Sequence, residues 1–379
     1  MITHTSHPGG ASDDFERILK YFHTLNDFSV DAIYPKGEFA QIYGKYSHFL
    51  GYYTEKFFPV IFTFRSFAGY LLKFWKQFFE IRKLIGKNQY DVCIINVSVL
   101  ISVALAVRSK KINSIVFIRE TIIPAGVRKV IFKILIKLCN FFIGVSEFNR
   151  KDFVEITGSK NTATLYSSIE ENTSLDAAKN ELFNAFIKNN RLEDYVSKNY
   201  FKIICTATIS PRKNQLAIIY AMIELKKAKL LKNLMFLFVG NIDDVGYYNQ
   251  IEELVLKNEL INHCRFLGNI EKYLVYGFLQ NMNAFILTSK SEGFPLSIVE
   301  AMKFGIPVIS TNVGGIGDIL NCSNGLLIND NTDSILNGIV KIQDLELTKN
   351  LVKSANKDYN NNFNLANNLQ ILRSIIEKL

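Results

Sequence analysis

The sequence predicts an α/β protein of two domains, each a parallel sheet assembled from repeated βα units. Three observations predict it. Apolar, β-branched runs alternate with amphipathic stretches over nearly the whole length, the pattern of buried strands and covering helices. The chain has 379 residues, more than one ordinary core serves, and usual domain sizes give two domains of about 150 to 200 residues. The composition is 48% hydrophobic, 21% charged and 13% aromatic, which is globular and far from the polar, highly charged signature of disorder.

In chain order, Met1 to Ser6 is a short first apolar segment, followed by HPGGAS (7–12), where Gly9 and Gly10 precede a helix. Glycines there let backbone approach a phosphate or a sugar closely, although a simple tight turn explains them equally. Strand runs follow at SVDAIYP (29–35), YDVCIINV (90–97), NSIVFIR (113–119), FFIGVS (141–146) and ATLYSS (163–168). The polar stretch 169–199 carries few buried-strand signals and reads as the hinge. Beyond it lie FKIICTAT (201–208), LMFLFVG (234–240), CRFLGN (264–269), NAFILTS (283–289), PVISTNV (307–313) and GLLIND (325–330). Helical patterns separate them, such as NQLAIIYAMIELKKAKL (214–230) and PLSIVEAMKFG (295–305). The domains are therefore set at 1–175 and 176–360, with 361–379 a final helix expected to pack back toward the first domain.

Five cysteines, Cys93, Cys139, Cys205, Cys264 and Cys322, lie far apart without a CxxC pair. Neither a metal site nor a disulfide framework is indicated. The N-terminus shows no basic segment followed by an apolar stretch, and the longest apolar run, Val97 to Val107, is well short of the ~20 residues that span a bilayer. A cytoplasmic protein is the expectation. The net charge of +9 is uneven: residues 51–150 hold 16 basic and 5 acidic residues, whereas 151–379 balance at 24 against 24. Segments 65–87 and 126–142 mix Lys and Arg with large apolar and aromatic residues, and Lys129, Lys133 and Lys137 recur every four positions. Such helices suit an anionic membrane surface, or bury an apolar face and expose lysines. No nucleic-acid motif accompanies the basic charge.

In open parallel sheets ligands bind beyond the carboxyl ends of the strands. The richest such end is TSKSEGFPLSIVEAMKFGIPVIST, with Glu292 in a loop and Glu300 inside the helix that begins near Pro295. Proline favours the first helical turn, so the N–H groups of Phe294, Leu296 and Ser297 would face an anion. A diphosphate there gains from the helix dipole. Glu300 is then suited to a vicinal diol such as a ribose, and Glu292 to a sugar. The other reading of each is a surface acid. TATISPRKNQ places Arg212 and Lys213 just before a helix near Asn214, cations able to neutralise a departing diphosphate or simply a solvated basic turn. In GGIGD (314–318) the glycines close a loop and Asp318 suits a helix cap.

The run SEGFPLSIVEAMKFGIPVISTNVGGIGDIL resembles the EGFPLxxxEAMAxGxPVIxxxxGGxxEIV block of retaining glycosyltransferases of family 4, which have the GT-B fold: two Rossmann-like domains with parallel sheets facing a central cleft. FVGN (238–241), RFLGNIEKYLVYGFLQNMNAFILTS (265–289) and NGLLI (324–328) extend the likeness, which is strong over about 180 residues of the C-terminal half and only an outline before it.

That resemblance implies a UDP- or GDP-sugar donor as co-substrate, with no other cofactor and no metal. The donor would be held by Arg212, Lys213, Glu292, Gly293, Phe294, Pro295, Leu296 and Glu300, and a glycan or lipid-linked acceptor by the first domain. Glu300 corresponds to the ribose-binding glutamate, Glu292 to the one beside the transferred sugar, and Lys213 to the diphosphate lysine. Retention is ascribed in that family to front-face attack steered by the leaving phosphate. The chain departs from the pattern at three places. Ala207 and Thr208 stand where the family has an arginine, Arg119 in FIRET stands where it has a histidine, and the first strand is short. Glu292, Lys213 and Arg119 are the candidate catalytic residues. The implied role is sugar addition in bacterial-type surface polysaccharide assembly, and the alternative is a silent nucleotide-sugar or glycan binder on the same fold.

Overall fold

A computed structural model describes residues 1–3, 10–37, 39–51, 64–119, 125–169, 175–197 and 199–379. They form two compact units, Met1–Ser168 with Leu365–Leu379, and Ile169–Asn364. The first unit carries the parallel strands β1 (Asp31–Ile33), β2 (His48–Gly51), β3 (Val92–Ile95), β4 (Asn113–Ile118), β5 (Phe141–Gly144) and β6 (Thr162–Thr164). Strands β3 to β6 run in sequence order and β1 pairs with β2.

Residues Met1 to Thr3 connect these two groups. Ile2 bridges to Ile33 on one side and to Ile95 on the other, with Ile2 N–H donating to the Ile94 carbonyl at 2.8 Å and Asn96 N–H to the Ile2 carbonyl at 3.0 Å. The short first segment is thus an inner position of the sheet, and residues 4–6 of it lie outside the described residues. The apolar run Val97 to Val107 becomes the lead-in and body of the helix Ile101–Ser109, whose Val103, Ala104, Ala106 and Val107 are buried. Being apolar all round, it is a core helix. It packs against the helix Phe64–Ile85 on one side and the helix Ala125–Leu138 on the other.

In the second unit β7 (Phe201–Thr206), β8 (Leu234–Val239), β9 (Cys264–Phe266), β10 (Ala284–Leu287), β11 (Val308–Thr311) and β12 (Leu326–Ile328) form one sheet in the order β12-β11-β10-β7-β8-β9. Every pairing is parallel. Both faces are covered, which is why β8 reads as six consecutive buried apolar residues rather than an alternation. The chain leaves β7 toward β9, then returns to β7's other side with β10. The strand order reverses between β7 and β10, and such a reversal opens a crevice at the carboxyl ends of those two strands. The turn after β8 needs its glycine: Gly240 has φ +148°, and a Cβ there would meet the Ala207 carbonyl oxygen at 2.1 Å.

The last helix, Leu365–Ile376, belongs to the first unit. Leu369 and Leu372 are buried, and the Asn368 amide donates to the Tyr166 carbonyl at 2.9 Å and to the Ser168 hydroxyl at 2.6 Å.

Candidate functional site

The strand reversal in the second unit places the loop after β7 beside the loop after β10. Lys290 N–H donates to the Arg212 carbonyl at 2.8 Å, and the Thr288 hydroxyl donates to the Asn214 carbonyl at 3.0 Å. Asn214 takes a left-handed conformation, φ 58°, at the start of the helix Gln215–Lys227. That bend ends the loop with Arg212 and Lys213 turned toward the second strand end.

Between the two loops sits Glu292, its side chain 6% exposed. Lys213 Nζ lies 2.5 Å from Oε1 and Arg212 Nη1 lies 3.3 Å from Oε2. The Ser289 hydroxyl also donates to Oε1 at 2.6 Å, and Arg212 Nη1 donates to the Ser291 carbonyl at 3.0 Å. The Glu292 backbone is fixed as firmly. Its carbonyl accepts the Gly315 N–H at 3.1 Å, and Gly314, at φ +57°, passes so close that a Cβ would meet that oxygen at 1.9 Å. The glycine pair of GGIGD is therefore a seat for the Glu292 peptide. Asp318 ends the 3-10 turn Gly314–Asp318 rather than opening a helix.

Downstream, Pro295 occupies the N-cap position, one residue before the helix Leu296–Lys303, which has no side-chain cap. Gly293, Phe294 and Leu296 are half-buried around it and Pro295 is buried. Phe294 packs its ring on Phe363, centroids 5.8 Å apart. Glu300 lies in the second turn of this helix, side chain 12% exposed, with Lys272 Nζ 3.8 Å from Oε1. Lys272 begins the helix Lys272–Leu279 and leans over the Tyr276 ring at 5.8 Å. Lys272, Ser289 and the packing role of Gly314 were not read from the sequence. Lys272 sits in a helical segment with no charge pattern to mark it, although the likeness to the family runs through it.

In the first unit Arg119, at the end of β4, is a buried cross-link. Its Nη1 lies 2.5 Å from Asp14 Oδ2, with side chains 10% and 9% exposed. Nε and Nη2 donate to the Asn96 carbonyl and side-chain oxygen, each at 3.0 Å. Asp14 also pairs with Arg17 at 3.1 Å and accepts from the Ser167 hydroxyl. The network joins the helix Gly10–His23 to the ends of β3, β4 and β6 and borders a recess lined also by Ile18, Phe117 and Asn368. Gly10 is the first residue of that helix, while Gly9 lies outside the described residues. Among the described residues no group of His, Cys, Asp and Glu is arranged to hold a metal ion, and no helix is long and apolar enough to cross a membrane.

Residues 187–358 match the family described as glycosyl transferases group 1. Over this span the chain is similar to group 1 glycosyl transferases. Its two site loops and the Glu300 helix all lie inside that span. An uncharacterized glycosyltransferase of Methanocaldococcus jannaschii is 33% identical over 141 residues, covering 36% of this chain and 40% of the relative. The Escherichia coli UDP-Gal:alpha-D-GlcNAc-diphosphoundecaprenol alpha-1,3-galactosyltransferase is 26% identical over 185 residues, 48% of this chain and 46% of the relative. The matched segments thus span less than half of each of these relatives. Among solved structures, Anabaena HepE in complex with UDP and glucose superposes with a TM-score of 0.78 at 17% identity, covering 100% of this chain and 99% of that one. A Rickettsia africae glycosyltransferase does so with a TM-score of 0.79 at 18% identity, covering 100% and 97%. The matched segment therefore sits in a chain with the GT-B fold.

Proposed function

We propose that this chain is a retaining glycosyltransferase of family 4 that moves a sugar from a UDP- or GDP-sugar to a glycan or lipid-linked acceptor. The observation that carries the reading is the convergence of Arg212, Lys213 and Glu292 at the β7/β10 strand reversal, beside an uncapped helix N-terminus that holds Glu300 one turn further on. The cations and the free amides of that helix suit a diphosphate. Glu300 suits the ribose diol and Glu292 the sugar hydroxyls, with Gly293 to Leu296 shaping the wall between them.

In the reaction the bond from the sugar's anomeric carbon to the diphosphate oxygen breaks, and its electron pair stays on the phosphate. The acceptor hydroxyl oxygen bonds to that carbon on the same face and passes its proton to the leaving phosphate. Arg212 and Lys213 stabilise the negative charge as it builds, a preorganised electrostatic contribution that requires no metal. The name of the Escherichia coli relative, with its diphosphoundecaprenol-linked acceptor, favours a lipid-linked acceptor, and with it we propose a place in surface polysaccharide assembly at the cytoplasmic face of the membrane.

Two surfaces of the first unit fit that setting. The helix Phe64–Ile85 exposes Trp75 and Phe79 among Lys73, Lys76, Arg82 and Lys83. The helix Ala125–Leu138 buries Ile131, Phe132 and Leu135 and exposes Lys129, Lys133 and Lys137. Apolar residues among cations suit anionic headgroups. Flotation with anionic liposomes, weakened by Trp75→Ala with Phe79→Ala and absent with neutral lipid, is the expected outcome; equal binding to both lipids would count against the membrane role.

The donor reading is tested by thermal shift over a panel of UDP- and GDP-sugars, since a ligand that binds only the folded chain stabilises it. One sugar nucleotide should raise Tm and be consumed with an acceptor, and Glu300→Ala should remove the shift. A panel without a hit contradicts the donor site, and binding without turnover or hydrolysis would favour the silent binder.

A further inference from the structure

Resting on the donor-site reading above, we infer that Glu292 is a built-in counter-anion: in the empty chain its carboxylate occupies the place of the donor diphosphate, and donor binding exchanges it for phosphate. Its two oxygens take Lys213 at 2.5 Å and Arg212 at 3.3 Å. These are the cations that a diphosphate would need. The side chains of Lys213 and Arg212 are 13% and 35% exposed, against 6% for Glu292, so the ion triad opens outward through its cations. An incoming phosphate meets positive charge first and the carboxylate behind it.

Two like charges do not share those cations at close range without cost, because an anion a few ångströms from another in a partly dry site is strongly repelled. The exchange therefore turns the carboxylate away as the phosphates arrive. The Glu292 main chain does not travel with it, held by the Gly315 N–H and by the close passage of Gly314. Only the side-chain torsions are free to change, which carries the carboxylate from the cations toward the sugar. The Ser289 hydroxyl, 2.6 Å from Oε1, steadies the empty pose. After transfer, Glu292 returns to Lys213 and Arg212 and competes with the nucleoside diphosphate, which speeds its departure. One residue thus positions the sugar in the loaded site and clears the product from the spent one.

The test measures UDP, GDP, uridine, guanosine and inorganic pyrophosphate binding by calorimetry to the full chain and to Glu292→Gln, which removes the charge and keeps the shape. The nucleoside diphosphate should bind the variant about tenfold more tightly, pyrophosphate should follow it, and the nucleoside should be unchanged. In a Lys213→Ala background the gain should shrink, because the two residues act on each other. Ser289→Ala, which loosens the empty pose without changing charge, is the second variant should Glu292→Gln not fold, and its gain should be about twofold. A diphosphate-to-nucleoside affinity ratio that stays level or falls in a folded variant overturns the exchange. Should neither UDP nor GDP bind the wild-type chain or the variant, the donor-site reading itself fails.

Discussion

The two units place charged residues at the carboxyl ends of parallel strands, and they do opposite things with them. In the first unit Arg119, its side chain 10% exposed, spends three donors on the buried Asn96 and Asp14. In the second, two cations converge on the single carboxylate of Glu292 and remain partly open to solvent. The first arrangement is balanced, Arg119 and Arg17 standing against Asp14 and Asp13, whose carboxylate lies 3.8 Å from Arg17, and works as a rivet between a helix and three strand ends. The second leaves net positive charge at a strand reversal, where a ligand can use it. The position of a charged residue at a strand end is thus not enough to identify a site; the balance of its partners decides.

Several substitutions sharpen or break this contrast. Arg119→Ala should destabilise the first unit by about 3 to 5 kcal/mol, because it strands a buried Asp14 with fewer partners. Urea unfolding reads this directly. A variant of full stability that had lost only sugar transfer would break the contrast and return Arg119 to the reacting groups. Gly314→Ala should cost about 2 to 4 kcal/mol, from the positive φ and the collision with the Glu292 carbonyl, and abolish the donor thermal shift with it. Arg212→Ala should lower stability by no more than about 1 kcal/mol, since it is partly exposed and leaves Lys213 on Glu292, yet weaken nucleoside diphosphate binding by about tenfold.

The smallest effect is pH-dependent and belongs to the rivet side. Glu147 accepts from Arg150 at 2.5 and 2.8 Å and from Thr164 at 2.6 Å. The Arg150 hydrogen bonds above all hold its carboxyl down to about 2. A carboxyl lowered on folding contributes stability above its unfolded value of about 4.3 and loses it as pH falls toward 2. Glu147→Gln should therefore cost about 1 to 2 kcal/mol at pH 7. The gap to wild type should close in chemical unfolding curves taken between pH 4.5 and 2.

Much of the fold was legible because buried parallel strands are apolar throughout: the run LMFLFVG could hardly be anything else, and it is β8. β2 was not seen, since His48–Gly51 is four residues long and bears no alternation. The inner place of Met1 to Thr3 was also hidden, because pairing with β1 and β3 joins residues some thirty and ninety positions apart. The same holds at the sites. Arg212, Lys213, Glu292 and Glu300 could be singled out from strand ends and family likeness, but the pairing of Arg212 and Lys213 with Glu292 spans about eighty residues. Asp14 as the partner of Arg119, across 105 positions, had no local signal at all. Lys272 escaped because one lysine opening an apolar helix resembles any solvated surface residue.

The most direct test is a structure of the chain soaked with the UDP- or GDP-sugar that stabilises it best. Electron density should show the diphosphate against Lys213 and Arg212, the ribose hydroxyls on Glu300, and the Glu292 carboxylate moved off the cations onto the sugar. Density for the nucleotide at any other strand end, or a filled site with Glu292 still paired to Lys213, would contradict the account.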